Sequence, residues 1–168
     1  MTNSKIKVGI SLRVTHAEQY SEKRDALSHD WTLFFEGINV FPVLIPNTIS
    51  NVREFLEKMQ LDGFLLSGGD NIGDNPERDK TEREIIKFGL DNNLPIFGVC
   101  RGMQAINKYF HGETEILANS KHVGKSHAVK IINSNFSSLL KTSSIEVNSY
   151  HNNIIKQDIL GNELEPFA

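Results

Sequence analysis

Cysteine occurs once in the 168 residues, at Cys100. A single thiol excludes an intrachain disulfide framework, so the chain must rely on a packed core. No apolar run is long enough to span a bilayer and no signal-peptide core is present, so a cytoplasmic protein is expected. Neither sign of charge dominates: 18 Lys and Arg against 21 Asp and Glu leave a formal net charge of −3. That balance gives no basis for a nucleic-acid or anionic-membrane partner. Internal repeats, low-complexity tracts and linker-like stretches are also missing. A chain of this length suits one domain, residues 1–168.

The one cysteine sits where the residue pattern changes. Leu94-Pro95-Ile96-Phe97-Gly98-Val99 has strand character, Cys100 follows at once, and Met103, Ile106, Asn107 and Phe110 recur at helical spacing. This is the layout of a nucleophile elbow, a sharp strand-to-helix turn that presents a reactive side chain. Gly98 and Gly102 are small enough to let the chain bend there. At such a turn the helix N-terminus favours thiolate over thiol, and the N–H that follows the nucleophile, here on Arg101, points to where an oxyanion forms. A cysteine after a buried strand is otherwise inert core. The flanking glycines and the change of period favour the nucleophile.

Taken in order, Lys5 to Leu12 alternates into a first strand with Ile6, Val8, Ile10 and Leu12 on one face. The spacing of Leu27, Trp31, Phe34 and Phe35 predicts a helix from Glu22 to Glu36, stopped by Gly37. Arg24, Asp25 and His29 in its first turns are either a solvated side or substrate-facing. Val40 to Ile45 reads as a strand that Pro42 puts at a sheet edge, Val52 to Met59 as a short helix, and Phe64 to Leu66 as a buried strand running into Ser67-Gly68-Gly69-Asp70. The alternation implies a flavodoxin-like, doubly wound α/β fold, with a mostly parallel sheet and helices on both faces. Gly68-Gly69 and Cys100 then share the carboxyl-terminal sheet edge, where such folds bind ligands.

Several other features allow a structural or a functional reading. Paired glycines alone are no more than a turn. Asp79 and Glu82 make a capping pattern for a helix through Gly89. Gln104 lies one helical turn past Cys100 on the same face. His127 to Ile132 and Ser143 to Ser149 read as further strands, the second leading into Tyr150-His151-Asn152. His111, His122 and His127 match no standard ligand spacing and have no acidic or cysteine partner, so neither a metal nor another cofactor is expected.

Gly98-Val99-Cys100-Arg101-Gly102-Met103-Gln104 resembles the nucleophile motif of the class I glutamine amidotransferases. It is most similar to their hydrolase branch, the gamma-glutamyl hydrolase or peptidase C26 type, where Cys-Arg-Gly is usual. Arg78-Asp79-x-x-Glu82 and Asn148-Ser149-Tyr150-His151 resemble further segments of that branch in the expected order. The resemblance implies hydrolysis of a gamma-glutamyl amide, with Cys100 as catalytic nucleophile and the N–H groups of Gly69 and Arg101 as the oxyanion hole. It also implies that Gln104, Ser149, Tyr150 and His151 contact the small-molecule gamma-glutamyl substrate. Tyr20-x-Glu22-x-Arg24-Asp25-x-Leu27 with Trp31 resembles the branch associated with capsular phosphoramidate synthesis, whose substrate is gamma-glutamyl-CDP-amidate. Polyamine-pathway relatives that cleave gamma-glutamyl-GABA are the nearest competitors.

One family element has no counterpart in its usual place. The amidotransferase base and its partner form a His-x-Glu pair on a late strand, and the late region of this sequence has none. His111-Gly112-Glu113 has the letters but directly follows the nucleophile helix. The expectation is a longer native protein, the domain being incomplete at its C-terminus. Two alternatives stay open: a glutaminase subunit delivering ammonia to a synthase partner, and an inactive glutamyl-binding relative. A homodimer is equally compatible with the sequence.

Overall fold

The computed structural model describes residues 6–117 and 124–168. The chain divides into two units, Met1–Tyr109 and Phe110–Ala168. In the first, β1 (Lys7–Ser11) is followed by a hairpin of β2 (Arg13–His16) and β3 (Lys23–Ala26), then α1 (His29–Gly37) and β4 (Phe41–Ile45). After these come α2 (Val52–Met59), β5 (Gly63–Leu66), α3 (Pro76–Asp91), β6 (Ile96–Gly98) and α4 (Arg101–Tyr109). Strands β1, β4, β5 and β6 form a parallel sheet in the order β4-β1-β5-β6. Pro42, which cannot donate to a ladder, lies on the edge strand β4, as expected.

Strand alternation builds a core on each sheet face. Phe64 and Leu66 of β5 join Ile45, Leu56, Ile85 and Ile86 in one buried cluster, which draws on α2, α3 and α4. Leu65, between them, points the other way and packs with Ile10 and Phe35, alongside Val8, Leu27, Trp31 and Val40 from the α1 side. The sheet therefore has helices on both faces, in the doubly wound arrangement that the alternation of elements implies. Its chain order reverses between β1 and β5, and the segments leaving their carboxyl ends, Arg13 and Ser67–Gly69, flank that switch point.

Two local expectations are corrected. The helix predicted from Glu22 begins only at His29, because residues 23–26 pair with 13–16 instead. Their sequence is polar, with no apolar stripe to bury, and Asp25 is held in the hairpin by the N–H and Nδ2 of Asn47 at 2.8 and 2.6 Å. Ser28 then accepts from the Asp30 N–H and starts the helix. Likewise Asp79 and Glu82 do not cap α3. Asn75 is its N-cap and Pro76, which needs no N–H partner, takes the first position.

The second unit contains β7 (Glu115–Ile116), β8 (Lys125–Lys130), α5 (Ser134–Leu140), β9 (Ser144–Ser149) and β10 (Asn153–Ile154). The expected strands at 127–132 and 143–149 are β8 and β9, which pair antiparallel from Lys125 opposite Ser149 to Lys130 opposite Ser144. Phe136 and Phe167 stack with ring centroids 4.5 Å apart. Among the described residues no helix is long and apolar enough to cross a membrane.

Candidate active site

The turn between β6 and α4 is tight for identifiable reasons. Cys100 has φ +53, a left-handed conformation that costs a non-glycine residue about 1–2 kcal/mol and persists only where its surroundings enforce it. Val99 donates its N–H to Leu66 O at 2.9 Å, which ties the turn to the end of β5. A Cβ on Gly102 would come within 2.0 Å of Leu66 O, and one on Gly98 within 2.6 Å of the Gly102 and Met103 backbone. Both glycines are thus required for α4 to start so close to the sheet. The turn leaves Cys100 exposed, and its thiol makes no hydrogen bond among the described residues.

The loop after β5 lies against this turn. A Cβ on Gly68 would sit 3.5 Å from that of Cys100. Gly69 has φ +128, and a Cβ there would meet Arg13 Cβ at 2.9 Å and Arg78 Nη1 at 3.0 Å. Ser67 fixes the start of the loop: its N–H donates to Ser11 Oγ at 3.0 Å and its hydroxyl to Ser11 O at 2.7 Å.

Beneath the loop is a buried charged network. The Arg78 guanidinium, fully buried, donates through Nη2 to Ser67 O at 2.9 Å and Gly68 O at 3.1 Å, and through Nε to Glu82 Oε1 at 3.0 Å. Glu82 Oε1 also accepts from Ser11 Oγ at 2.8 Å, and its Oε2 accepts from Arg101 Nη1. Arg101 Nη2 in turn bonds Asp79 Oδ1, while its Nε is buried without a partner among the described residues. Arg101 therefore has its side chain bound into the core and leaves its main chain beside Cys100. At the margin, Asp70 Oδ2 accepts from Asn75 Nδ2, Arg78 Nη1 and the Val14 N–H. Burial works to raise the Asp70 carboxyl, but its own backbone N–H, the Arg78 charge and the Val14 N–H outweigh it and hold the group below its ordinary value.

A cavity of about 230 Å³ opens at the same sheet edge, with Arg13, Trp31, Gly68, Gly69 and Val99 in its walls. Arg13 faces Ala26 across the hairpin, so alternation puts Thr15 and Arg24 on the same hairpin face. Arg24 is engaged by Glu22 at 2.9 Å, whereas Arg13 has no ion-pair partner among the described residues.

Of the residues singled out from sequence, Cys100, Gly69, Arg101 and Gln104 fall in the first unit. Gln104 is buried in α4, its N–H donating to Cys100 O at 3.2 Å. Ser149, Tyr150 and His151 fall in the second: Ser149 buried at the end of β9, Tyr150 exposed, and His151 with Nδ1 2.8 Å from Asn153 O. His122 lies outside the described residues. Ser11, Arg13 and the joint role of Arg78 and Glu82 escaped the reading of the sequence. The i,i+4 spacing of Arg78 and Glu82 was a usable signal, but their link to Arg101 was not, because only the fold brings it about.

The chain is 30% identical over 164 residues to gamma-glutamyl-CDP-amidate hydrolase of Campylobacter jejuni, a match that covers 94% of this chain and 74% of the relative. It is 35% identical over 109 residues to the glutamine-hydrolyzing GMP synthase of Finegoldia magna, covering 65% of this chain and 19% of that one. In structure it is similar to a glutamine amidotransferase of Thermotoga maritima, with a TM-score of 0.65 and 14% identity, covering 92% of this chain and 64% of that one. That last likeness shows a shared amidotransferase fold. Since the peptidase C26 family model also matches residues 7–168, nearly all of the described chain, the protein belongs to the peptidase C26 family.

Proposed function

We propose that the protein hydrolyses a gamma-glutamyl amide through a glutamyl thioester on Cys100. The observation that carries this reading is the left-handed, exposed Cys100 at the head of α4 with the Gly68-Gly69 loop against it. Sγ attacks the side-chain carbonyl of the substrate, and the N–H groups of Gly69 and Arg101 donate to the oxyanion of the tetrahedral intermediate. Collapse expels the amine and leaves the thioester, which water cleaves to glutamate. Each oxyanion donor contributes about 3 kcal/mol to lowering the barrier. A general base must take the thiol proton and return it to the leaving nitrogen. In the family that base is the histidine of the His-x-Glu pair. Gln104 holds the glutamyl end, and in the family the segment that Asn148-Ser149-Tyr150-His151 resembles contacts it as well.

For the leaving group we propose a cytidine diphosphoramidate, released from gamma-glutamyl-CDP-amidate. Support comes from the named activity of the Campylobacter relative and from Arg13 and Trp31 in the cavity walls. A guanidinium with no ion-pair partner among the described residues suits a diphosphate, and an indole face suits a base. The substrate is a soluble metabolite, which fits a cytoplasmic location. The test is to compare kcat/KM for gamma-glutamyl-CDP-amidate, gamma-glutamyl-GABA and glutamine. Preference for the first supports the proposal, and equal or greater efficiency on either of the others refutes the leaving group.

The similarity to the glutamine-hydrolyzing GMP synthase favours a second reading, a glutaminase that passes ammonia to a synthase partner. That reading requires glutamine hydrolysis that rises when the partner is added. Glutamyl binding without acylation of Cys100 would instead identify an inactive relative.

A further inference from the structure

Building on the hydrolase reading, we infer that Arg78 and Glu82 are positioning residues that aim both oxyanion N–H groups from beneath the site. Peptide planarity supplies the first link. The Gly68 carbonyl and the Gly69 N–H belong to one trans peptide unit and point in opposite directions. Arg78 Nη2 holds that carbonyl at 3.1 Å and the preceding Ser67 carbonyl at 2.9 Å, both from the buried side. Fixing the Gly68 oxygen fixes the Gly69 N–H, which points the opposite way within the same plane. Gly69 itself supplies no side chain to restrain this unit and has a φ of +128. A glycine loop is free to rotate unless something outside it holds the peptide.

The second donor is held in a parallel way. The Arg101 N–H shares its peptide unit with the Cys100 carbonyl, which accepts from the Gln104 N–H at 3.2 Å as α4 begins. The Arg101 side chain then runs into the core and bonds Glu82 and Asp79. Glu82 joins the two halves: Oε1 takes Arg78 Nε at 3.0 Å and the Ser11 hydroxyl at 2.8 Å, and Oε2 takes Arg101. One buried carboxylate thus ties the loop after β5 to the turn after β6. A hydrogen bond to an oxyanion depends steeply on donor direction and distance, so a network that fixes both donors acts on the transition state more than on substrate binding.

The experiment compares wild type with Glu82→Gln and Arg78→Lys in two reactions. Glutamate release from the gamma-glutamyl substrate passes through an oxyanion. Alkylation of Cys100 by iodoacetamide attacks a saturated carbon and does not. Glu82→Gln keeps the shape but removes the charge that both guanidiniums share, and Arg78→Lys keeps the charge but cannot hold two carbonyls and Glu82 at once. Each variant is expected to lower kcat by about 10- to 100-fold with KM and the alkylation rate within about threefold of wild type. Unchanged kcat overturns the inference, as does a parallel fall in kcat and alkylation, which marks general collapse of the turn. If either variant fails to fold, Ser11→Ala decides, since it removes only one donor to Glu82 and one acceptor for the Ser67 N–H; the same split, at about 3- to 10-fold in kcat, is expected. A wild-type protein that alkylates at Cys100 yet releases no glutamate would instead remove the hydrolase reading, and this inference with it.

Discussion

Arg101 and Glu82, nineteen residues apart in sequence, meet in a fully buried ion pair, and Glu82 takes Arg78 on its other oxygen. Two guanidiniums therefore depend on one carboxylate for their neutralisation in the core, with Asp79 and Asp70 at the margins. A buried pair of this kind adds little net stability when intact, but removing one member strands the other. Glu82→Ala is accordingly expected to destabilise the fold by about 3–5 kcal/mol, read as a fall in the urea midpoint. Replacement of an exposed carboxylate such as Glu57, which pairs with Arg53 on the surface of α2, is expected to change stability by less than about 1 kcal/mol. Comparable losses in the two variants would contradict the buried network.

The closeness of α4 to the sheet rests on Gly102. An added methyl group there would collide with the Leu66 carbonyl, which is backbone and cannot turn aside as a side chain could. Gly102→Ala is expected to cost about 3 kcal/mol or more in thermal or urea unfolding, despite the better helix propensity of alanine. Gly37→Ala, where nothing lies within 4 Å of the new Cβ, serves as the comparison and is expected to be neutral or slightly stabilising.

The parallel sheet and the elbow were legible because their signals are local. Apolar runs ending at Leu66 and Gly98, glycines on either side of Cys100, and Pro42 on an edge strand each carry their meaning within a few residues. The β2–β3 hairpin was not, because residues 22–26 have the polar composition of a helix surface and are held by a partner, Asn47, that lies far along the chain. Asp79 and Glu82 show the same limit from another side. Their spacing is that of a capping box, but Pro76 already marks the start of α3, and the two carboxylates turn to Arg101 in the fold. Arg13 was within reach: it lies two residues past the end of β1, at the carboxyl end where an open sheet places its ligand.

Arg13 lines the cavity at the site without an ion-pair partner among the described residues, so its loss should be felt by a charged leaving group and not by a neutral one. Arg13→Met is expected to raise KM for gamma-glutamyl-CDP-amidate by about tenfold, the weight of one charge-assisted hydrogen bond, with KM for glutamine within about twofold. Equal effects on both substrates would place Arg13 outside the leaving-group site.

Asp70 sets an acid limb for the loop. Its carboxyl is held below the ordinary value of about 3.9, so the folded state binds its proton less readily than the unfolded state does. The resulting stabilisation is present above that unfolded value and is lost as pH falls through the lower, folded one. Wild type should therefore exceed Asp70→Asn in stability by a constant margin above about pH 5, and the margin should narrow below about pH 4. Urea midpoints measured across this range check the sign, and a margin that widens toward acid would contradict it.

Everything proposed for the chemistry depends on Cys100 carrying the glutamyl group during turnover, which intact-protein mass spectrometry of rapidly acid-quenched reactions can observe. Wild type mixed with gamma-glutamyl substrate is expected to gain the mass of one glutamyl group, mapped to the peptide containing Cys100 and sensitive to hydroxylamine as a thioester is. Cys100→Ala should show neither the adduct nor glutamate release while keeping its fold. Glutamate release that persists in Cys100→Ala, or an adduct on another residue, would overturn the assignment of Cys100 as nucleophile.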